Sequence, residues 1–173
     1  MPRSKLVEAL FDPEHYRIIE QLAKTQGKTV GALVLVDTNI FIHALGSSHL
    51  YKAPCRLLLA RMAETSQGYN IDVEMLKEIM HVYNSRGGRA FGFAIFDTLP
   101  DLFHDSFPIS RSEMVLARRI SESYPGLSLR DAIHAAVVTD QDLEGIVTTE
   151  TSFSQVRGLT VFDPSELAAE PIV

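Results

Sequence analysis

Four acidic residues of this sequence lie where their side chains can meet and bind a cation. Asp37 directly follows an apolar run that is typical of a buried strand, and helical spacing resumes after it. Glu78, Asp131 and Glu150 also fall at the end of a strand or on a helix near its start. In open α/β sheets, ligands bind in the crevice at the carboxyl ends of the strands. Carboxylates gathered there repel one another unless a cation neutralises them, and oxygen ligands suit Mg²⁺ or Mn²⁺. The sequence therefore predicts a hydrolytic metal site.

Three of these acids also have a purely structural interpretation. Asp37 can be the N-cap of the helix that follows it, which is a frequent role of Asp at such a junction. Glu78 can be a solvent-facing helix residue that pairs near Lys77, and Glu74, one turn earlier on the same helical face, competes with it as a ligand. Ser128 and Asp131 resemble a capping box, but that motif has Glu or Gln in the third helical position. Because the shorter Asp reaches back less well, we favour a ligand role for Asp131.

The composition is that of an ordinary globular protein. The chain has 173 residues, 46% hydrophobic and 22% charged, enough for one core but not for two full domains. The single cysteine, Cys55, permits no internal disulfide, and no His/Cys cluster supports a zinc or redox site. The sequence shows neither a secretion-signal pattern nor an apolar run long enough to span a membrane. We therefore expect a soluble, cytoplasmic protein with no membrane partner.

The net charge of −6 at first argues against a nucleic-acid partner, since phosphate binding normally requires a basic surface. Two divalent cations held by the four acids would change this charge to −6 + 4 = −2. Arg86 and Arg89 flank two glycines and can bring forked guanidinium donors to a phosphate backbone. The alternative is that the two arginines simply belong to a solvated loop.

Hydrophobic spacing predicts strands that alternate with helices. We expect strands at residues 33–37, 70–73, 107–109 and 145–149, with a further edge strand at 159–162. The helices between them are expected at 38–45, 53–64, 74–83, 90–103, 113–124 and 128–139. This alternation favours a largely parallel sheet covered on both faces.

Four segments of the sequence occur in an order that resembles a known family. They are VDTNIF at 36–41, MLKEI at 75–79, LSLRDAIHAA at 127–136 and IVTTE at 146–150. Together they resemble the PIN-domain nucleases, especially the VapC-type toxins of toxin–antitoxin pairs, over about residues 34–165. The resemblance implies a three-layer α/β/α sandwich and a Mg²⁺- or Mn²⁺-dependent endoribonuclease that acts on RNA. It also suggests a homodimer and, often, a separately encoded antitoxin.

The resemblance also favours particular ligands. It supports Asp37 and Asp131 as metal ligands, and it favours Glu78 over Glu74 because the family places its glutamate inside this helix. Glu150 departs from the family, which more often has Asp there. The extra methylene group matters for the rigid octahedral geometry of Mg²⁺, so we interpret Glu150 as a second-metal or water-mediated ligand.

Other residues of the four segments have supporting or alternative interpretations. Thr38, Asn39 and Thr148 are candidates to hold the carboxylates by hydrogen bonds. His134 lies one turn after Asp131, but in an apolar helix it is most simply a packed histidine, with metal binding as the alternative. Asn39 also argues against an aspartyl-phosphate phosphatase, because that chemistry requires a second acid two residues after the nucleophile. A PIN-like subunit that has lost its activity is the remaining alternative.

The N-terminal residues have a different pattern from the rest of the chain. A weak strand at 4–10, a helix that Asp12 and Pro13 begin, a turn at Gly27 and the start of another helix resemble part of a ribbon-helix-helix antitoxin. This similarity ends where the first strand of the nuclease-like region begins. We therefore divide the chain into an N-terminal extension, 1–33, and a nuclease domain, 34–173. A segment that merely packs on the domain is the alternative.

Overall fold

Five short strands alternate with helices in the computed structural model, which describes residues 33–65, 68–103 and 106–169. The elements are β1 (Val34–Val36), α1 (Thr38–Leu45), α2 (Lys52–Thr65), β2 (Tyr69–Asp72), α3 (Val73–Ser85), α4 (Arg89–Leu102), β3 (Ser106–Phe107), α5 (Arg111–Ser123), α6 (Leu129–Asp140), β4 (Gly145–Val147), a 3₁₀ helix (Thr151–Gln155), β5 (Val161–Phe162) and α7 (Pro164–Ala169). The strand and helix patterns predicted at 4–10 and from Asp12 lie outside the described residues.

The strands form one parallel sheet in the order β3-β2-β1-β4-β5. β1 lies at the centre, with Val34 opposite Tyr69 of β2 and Val36 opposite Val147 of β4. The chain leaves β1 toward β2 on one side and returns to β4 on the other, so strand order reverses at β1. In open α/β sheets such a point opens a crevice at the carboxyl ends of the strands. The residue that follows β1 at this crevice is Asp37.

The alternation of side chains along β1 divides the interior into two cores. Val34 and Val36 pack against one face with α1, α2, α3 and α4, whereas Leu35 packs against the opposite face with α5 and α6. Successive residues of a strand point to opposite faces, so a strand covered by helices on both sides is apolar throughout. The structure thus confirms the three-layer α/β/α sandwich with a parallel central sheet.

Gly145, at the start of β4, allows the edge strand to approach closely. A Cβ at this position would lie 2.3 Å from the Thr160 carbonyl oxygen and 2.9 Å from the Phe162 ring. Since any side chain here would push β5 away, glycine is required for the pairing of β4 with β5. That pairing fixes β4, from whose end Thr148 and Glu150 extend.

Most helix and strand boundaries differ from those predicted from the sequence by one or two residues. The strand predicted at 107–109 is Ser106–Phe107, and the one predicted at 145–149 ends at Val147. Beyond the end of this strand, the Thr148 side chain contacts Asp37 and the Thr149 side chain contacts His43. In the part of the chain that is described, no helix has the length and apolar character needed to cross a bilayer.

Candidate metal centre

Asp37 occupies the junction between β1 and α1 and is held there by two side-chain donors. Thr148 Oγ1 donates to Asp37 Oδ2 over 2.5 Å, and Asn39 Nδ2 donates to the same oxygen over 2.6 Å. Asn39 also donates to Thr148 Oγ1 over 2.9 Å, which closes a triangle of hydrogen bonds. Although Asp37 occupies the N-cap position of α1, its side chain makes no cap hydrogen bond. Its carboxylate is therefore oriented by Thr148 and Asn39 rather than used as a helix cap.

The charge on Asp37 is in an unfavourable environment. The side chain is only 4% exposed, and burial raises the pKa of this carboxyl above its ordinary value. His134 and the hydrogen bond from Thr148 lower the pKa of Asp37, while the nearby Asp131 raises it further. A buried carboxylate beside a second one is stabilised by a nearby cation.

Thr38 does not join this group. Its hydroxyl oxygen is buried and has no hydrogen-bond partner among the described residues. Of the three residues predicted to orient the acids, the structure brings Asn39 and Thr148 to Asp37 and leaves Thr38 apart from them.

Glu78 lies on α3, one turn beyond its rival Glu74, and faces the same cavity as Asp37. It is 8% exposed and forms an ion pair with Arg130 of α6. Glu74 instead pairs with Lys77 of its own helix at 2.5 Å. The geometry therefore brings Glu78, and not Glu74, into the acidic cluster.

Asp131 and Glu150 complete the acidic lining. The Asp131 backbone N–H donates to Ser128 Oγ over 3.2 Å, so Ser128 caps α6 and the Asp131 carboxylate is left for the cavity. Glu150 is exposed at the cavity wall, and its side chain makes no cap hydrogen bond to the 3₁₀ helix that follows. Asp131 is thus half-buried in the cavity wall, and Glu150 lies at its solvent side.

These four acids line a single cavity of about 460 Å³ at the carboxyl edge of the sheet. Its other walls are made by residues of α1, α3 and α6, and they include two arginines and one histidine: Asn39, Ile42, His43, Val82, Arg86, Ser128 and Arg130. Residues that are up to 113 positions apart in sequence therefore share one compartment, as the predicted metal site requires.

A buried pair of residues lies beneath the acids. His134 Nδ1 lies 2.6 Å from Asp72 Oδ2, and the second oxygen of Asp72 caps α3 by accepting from the Met75 N–H over 2.9 Å. Burial by itself would lower the pKa of His134, but Asp72, Asp37 and Asp131 together raise it to about 9. His134 Nε2 is buried, has no hydrogen-bond partner in the described structure and lies 4.0 Å from Glu78 Oε2.

The residues of this cavity fit a divalent cation. One ligand atom each from Asp37, Glu78 and His134 lies within 4.8 Å of the other two, and all three residues are buried. Carboxylates are the ligands that Mg²⁺ and Mn²⁺ prefer, and neutralisation by a cation removes the repulsion between them. The unpartnered nitrogen of His134 offers a further donor at the same place.

A comparison with protein families identifies the domain. The family model for the PIN domain matches residues 34–159, which is more than half of the chain. The chain belongs to the PIN-domain family. This membership confirms the resemblance drawn from the four sequence segments.

Relatives of known type place this PIN domain in the VapC group. Ribonuclease VapC13 of Mycobacterium tuberculosis is 30% identical over 127 residues, which cover 73% of this chain and 97% of the relative. Ribonuclease VapC7 of the same organism is 26% identical over 125 residues, or 72% of this chain and 86% of the relative.

Solved structures show the same fold. FitAcB from Neisseria gonorrhoeae superposes with a TM-score of 0.59 at 15% identity, over 76% of this chain and 98% of that one. VapBC-5 from Mycobacterium tuberculosis, of the VapBC family of toxin–antitoxin systems, gives a TM-score of 0.52 at 17% identity over the same shares. A toxin–antitoxin complex from Klebsiella pneumoniae gives 0.51 at 22% identity, over 76% of this chain and 97% of that one.

The two arginines predicted to contact RNA lie in different surroundings. Arg86 lines the cavity, but Arg89 begins α4 and its guanidinium carbon lies 5.1 Å from the centre of the Phe93 ring. The positive φ of 75° at Gly87 turns the chain between them. Arg130, which the sequence analysis overlooked, lines the cavity with a side chain that is 52% exposed.

Asp72 was also missed by sequence reasoning, and the contact made by His134 was not foreseen. Asp72 is the last residue of β2 and Asp37 directly follows β1, so both acids lie at the carboxyl end of a strand. His134 lies three residues after Asp131 and therefore on nearly the same face of α6. The contact between Asp72 and His134 spans 62 residues, and no local pattern of the sequence shows it.

Proposed function

We propose that this PIN domain is a divalent-metal-dependent endoribonuclease that hydrolyses RNA phosphodiester bonds and acts as the toxin of a toxin–antitoxin pair. The main support is the meeting of Asp37, Glu78, Asp131 and Glu150 in one cavity at the carboxyl edge of the sheet. The relatives at 30% and 26% identity, which are named ribonucleases, support the choice of RNA as substrate.

Asp37, Glu78 and Asp131 would hold Mg²⁺ or Mn²⁺, with Glu150 as an outer or second-ion ligand. When bound, such an ion lowers the pKa of a coordinated water and supplies a nucleophile near neutral pH. The protein contributes orientation, because Thr148 and Asn39 fix the Asp37 carboxylate by bonds of 2.5 and 2.6 Å. Oriented carboxylates bind a cation without first losing side-chain freedom.

Arg130 and Arg86 supply the positive charge that a phosphate backbone requires. Arg130 neutralises Glu78 in the structure, and a cation bound to Glu78 would release its guanidinium for the substrate. Arginine presents a planar fork of donors that matches two phosphate oxygens. The two arginines thus answer the objection raised by the net charge of −6, because the local charge at the cavity is not the charge of the whole chain.

A separately encoded antitoxin, a homodimer and a cytoplasmic location belong to the same proposal. Two solved structures that share the fold, the Klebsiella pneumoniae complex and VapBC-5, are of toxin–antitoxin systems. For residues 1–33 we propose an extension that modulates the nuclease, because the antitoxin-like pattern ends before its second helix is complete.

The decisive experiment is RNA cleavage by the purified chain with Mn²⁺ or Mg²⁺ and with EDTA. We expect cleavage that requires the metal and that is lost in Asp37→Asn. A protein that binds RNA but does not cleave it under any metal condition would instead be the inactive PIN-like subunit. Cleavage that is insensitive to EDTA would contradict the metal mechanism.

A further inference from the structure

The metal centre contains one buried group that a cluster of carboxylates does not require. His134 is 1% exposed, and its Nε2 atom has no hydrogen-bond partner in the described structure. Buried polar atoms of native proteins are nearly always paired, so an orphaned nitrogen calls for a partner that the described residues do not supply. The nitrogen lies 4.0 Å from Glu78 Oε2 and shares the three-residue cluster with Asp37.

We propose that His134 Nε2 is a direct ligand of the divalent cation, so that this site has mixed nitrogen and oxygen ligands. The inference rests on the proposed function, because it concerns the same metal. Two ligands that are each about 2.1 Å from one ion lie roughly 3–4 Å apart, depending on the angle between them. The 4.0 Å separation of Nε2 from Glu78 Oε2 falls in this range.

Asp72 supplies the support that a metal-binding histidine needs. Ligating imidazoles usually direct the other ring nitrogen to a carboxylate, which fixes the tautomer and the ring orientation. His134 Nδ1 makes this contact with Asp72 Oδ2 at 2.6 Å, and both residues are buried. Asp72 is itself held by the Met75 N–H at 2.9 Å. The ring is therefore fixed with Nε2 on the side of Glu78 and Asp37.

The competing interpretation is that His134 serves only as an internal cation that neutralises the acids. In that case the ring would keep the proton on Nε2 when the metal is present, whereas a ligand role requires the cation to displace that proton into solvent. The two roles differ in metal preference, because an imidazole ligand favours transition metals, whereas Mg²⁺ prefers oxygen ligands. A nitrogen ligand therefore predicts that the centre prefers Mn²⁺ to Mg²⁺.

The test is electron spin-echo spectroscopy of Mn²⁺ bound to the full-length chain without RNA. A coordinated imidazole gives a ¹⁴N modulation of the Mn²⁺ signal, and protein labelled with [¹⁵N]histidine should replace it with the ¹⁵N pattern. We expect this signal in the natural sequence, its loss in His134→Gln and its retention in His43→Gln. His43 is the matched control because it lines the same cavity but its Nε2 already contacts Thr149 Oγ1 at 3.1 Å.

Mn²⁺ affinity, measured by calorimetry, gives a second readout. Asp72→Asn should lower the affinity for Mn²⁺ about 10- to 100-fold, as loss of an outer partner of a ligand typically does. Asn caps helices as well as Asp, so the cap of α3 should survive this change. His134→Gln should lower the ratio of Mn²⁺ to Mg²⁺ affinity.

The outcomes separate this inference from the proposed function. Suppose that Mn²⁺ binds in an Asp37-dependent manner and supports RNA cleavage, but that the labelled natural sequence shows no signal from a histidine nitrogen. This result would overturn only the ligand role of His134. Failure of Mn²⁺ to bind, or binding that is unchanged in Asp37→Asn, would overturn the metal centre and this inference together.

Discussion

The Thr148 hydroxyl donates a 2.5 Å hydrogen bond to Asp37 Oδ2 and so joins the ends of two neighbouring strands. The two residues are 111 positions apart, and they meet because β1 and β4 pair in parallel and end at the same edge of the sheet. The orientation of the most buried acid at the metal centre therefore depends on the correct pairing of these strands.

Asp37→Asn should reduce metal-dependent cleavage by more than about 100-fold, since even outer partners of a ligand are worth 10- to 100-fold. It should also raise the melting temperature in EDTA, because burial and the nearby Asp131 make the charged form of Asp37 unfavourable. Asp131→Asn should likewise reduce cleavage and raise the melting temperature in EDTA. RNA cleavage and thermal unfolding check both effects, with the exposed Asp97→Asn of α4 as control. Full activity in either site variant would remove that residue from the site.

Glu150→Ala should cost less activity than Asp37→Asn, and Glu150→Asp should preserve or raise cleavage with Mg²⁺. The reason is that Glu150 is exposed at the solvent side of the cavity, whereas Asp37 is buried and held by two donors. The measurement is the cleavage rate of all three variants in Mg²⁺ and in Mn²⁺. If Glu150→Ala is as inactive as Asp37→Asn, Glu150 binds the metal directly.

Arg130→Gln should strengthen Mn²⁺ binding and weaken RNA cleavage. The ion pair of Arg130 with Glu78 competes with the cation, but the arginine side chain is half exposed. Because solvent reaches the arginine half of the pair and screens it, the pair is worth about 1 kcal/mol, so the dissociation constant for Mn²⁺ should fall by about fivefold. Calorimetry and cleavage kinetics check the two effects, and Arg118→Gln on α5, which loses the same charge from an exposed pair, is the control. Weaker Mn²⁺ binding in Arg130→Gln would show that the ion pair supports the centre instead.

Arg86→Gln should raise the KM for RNA more than Arg89→Gln does. Arg86 lines the cavity, whereas the Arg89 guanidinium lies over the Phe93 ring. Loss of one phosphate contact should also flatten the dependence of log affinity on log salt by about 0.7 for single-stranded RNA. RNA binding to the Asp37→Asn protein over a range of salt concentrations measures this slope. Equal effects of the two substitutions would place both arginines on the RNA.

Deletion of residues 1–33 should leave a folded nuclease and change its cleavage rate, toxicity or dimerisation. Both described cores are built from residues of 34–167, so the deletion removes none of their members. We also expect no sequence-specific duplex DNA binding before or after deletion. A tight operator complex that the full chain forms and the shortened chain does not would identify these residues as a working DNA-binding domain.

The strands and helices around the acids could be predicted because their signal is local. An apolar run that ends in Asp37, and the spacing of Ala132, Ile133 and Ala136 on α6, indicate buried elements without reference to the rest of the chain. The short strand at Ser106–Phe107 was displaced in the prediction because two residues carry too little periodicity to fix a boundary.

The contacts between distant residues could not be predicted. The Arg130–Glu78 ion pair spans 52 positions, and the Asp72–His134 contact spans 62. Both depend on how α3 and α6 meet over the end of the sheet, and this is a property of the packed molecule. A histidine in an apolar helix looks the same in sequence whether its ring nitrogen is satisfied or orphaned.

In the described part of the chain the sheet ends on strands of two residues at each side, Ser106–Phe107 and Val161–Phe162. So short an edge offers few unpaired backbone groups, and a partner that binds by adding its own strand would gain few hydrogen bonds there. We therefore expect a partner that binds the described residues to do so mainly through side chains on the helices. Because side chains change with every substitution while backbone groups do not, related toxins that share this fold can acquire different partners by changes on those helical faces alone.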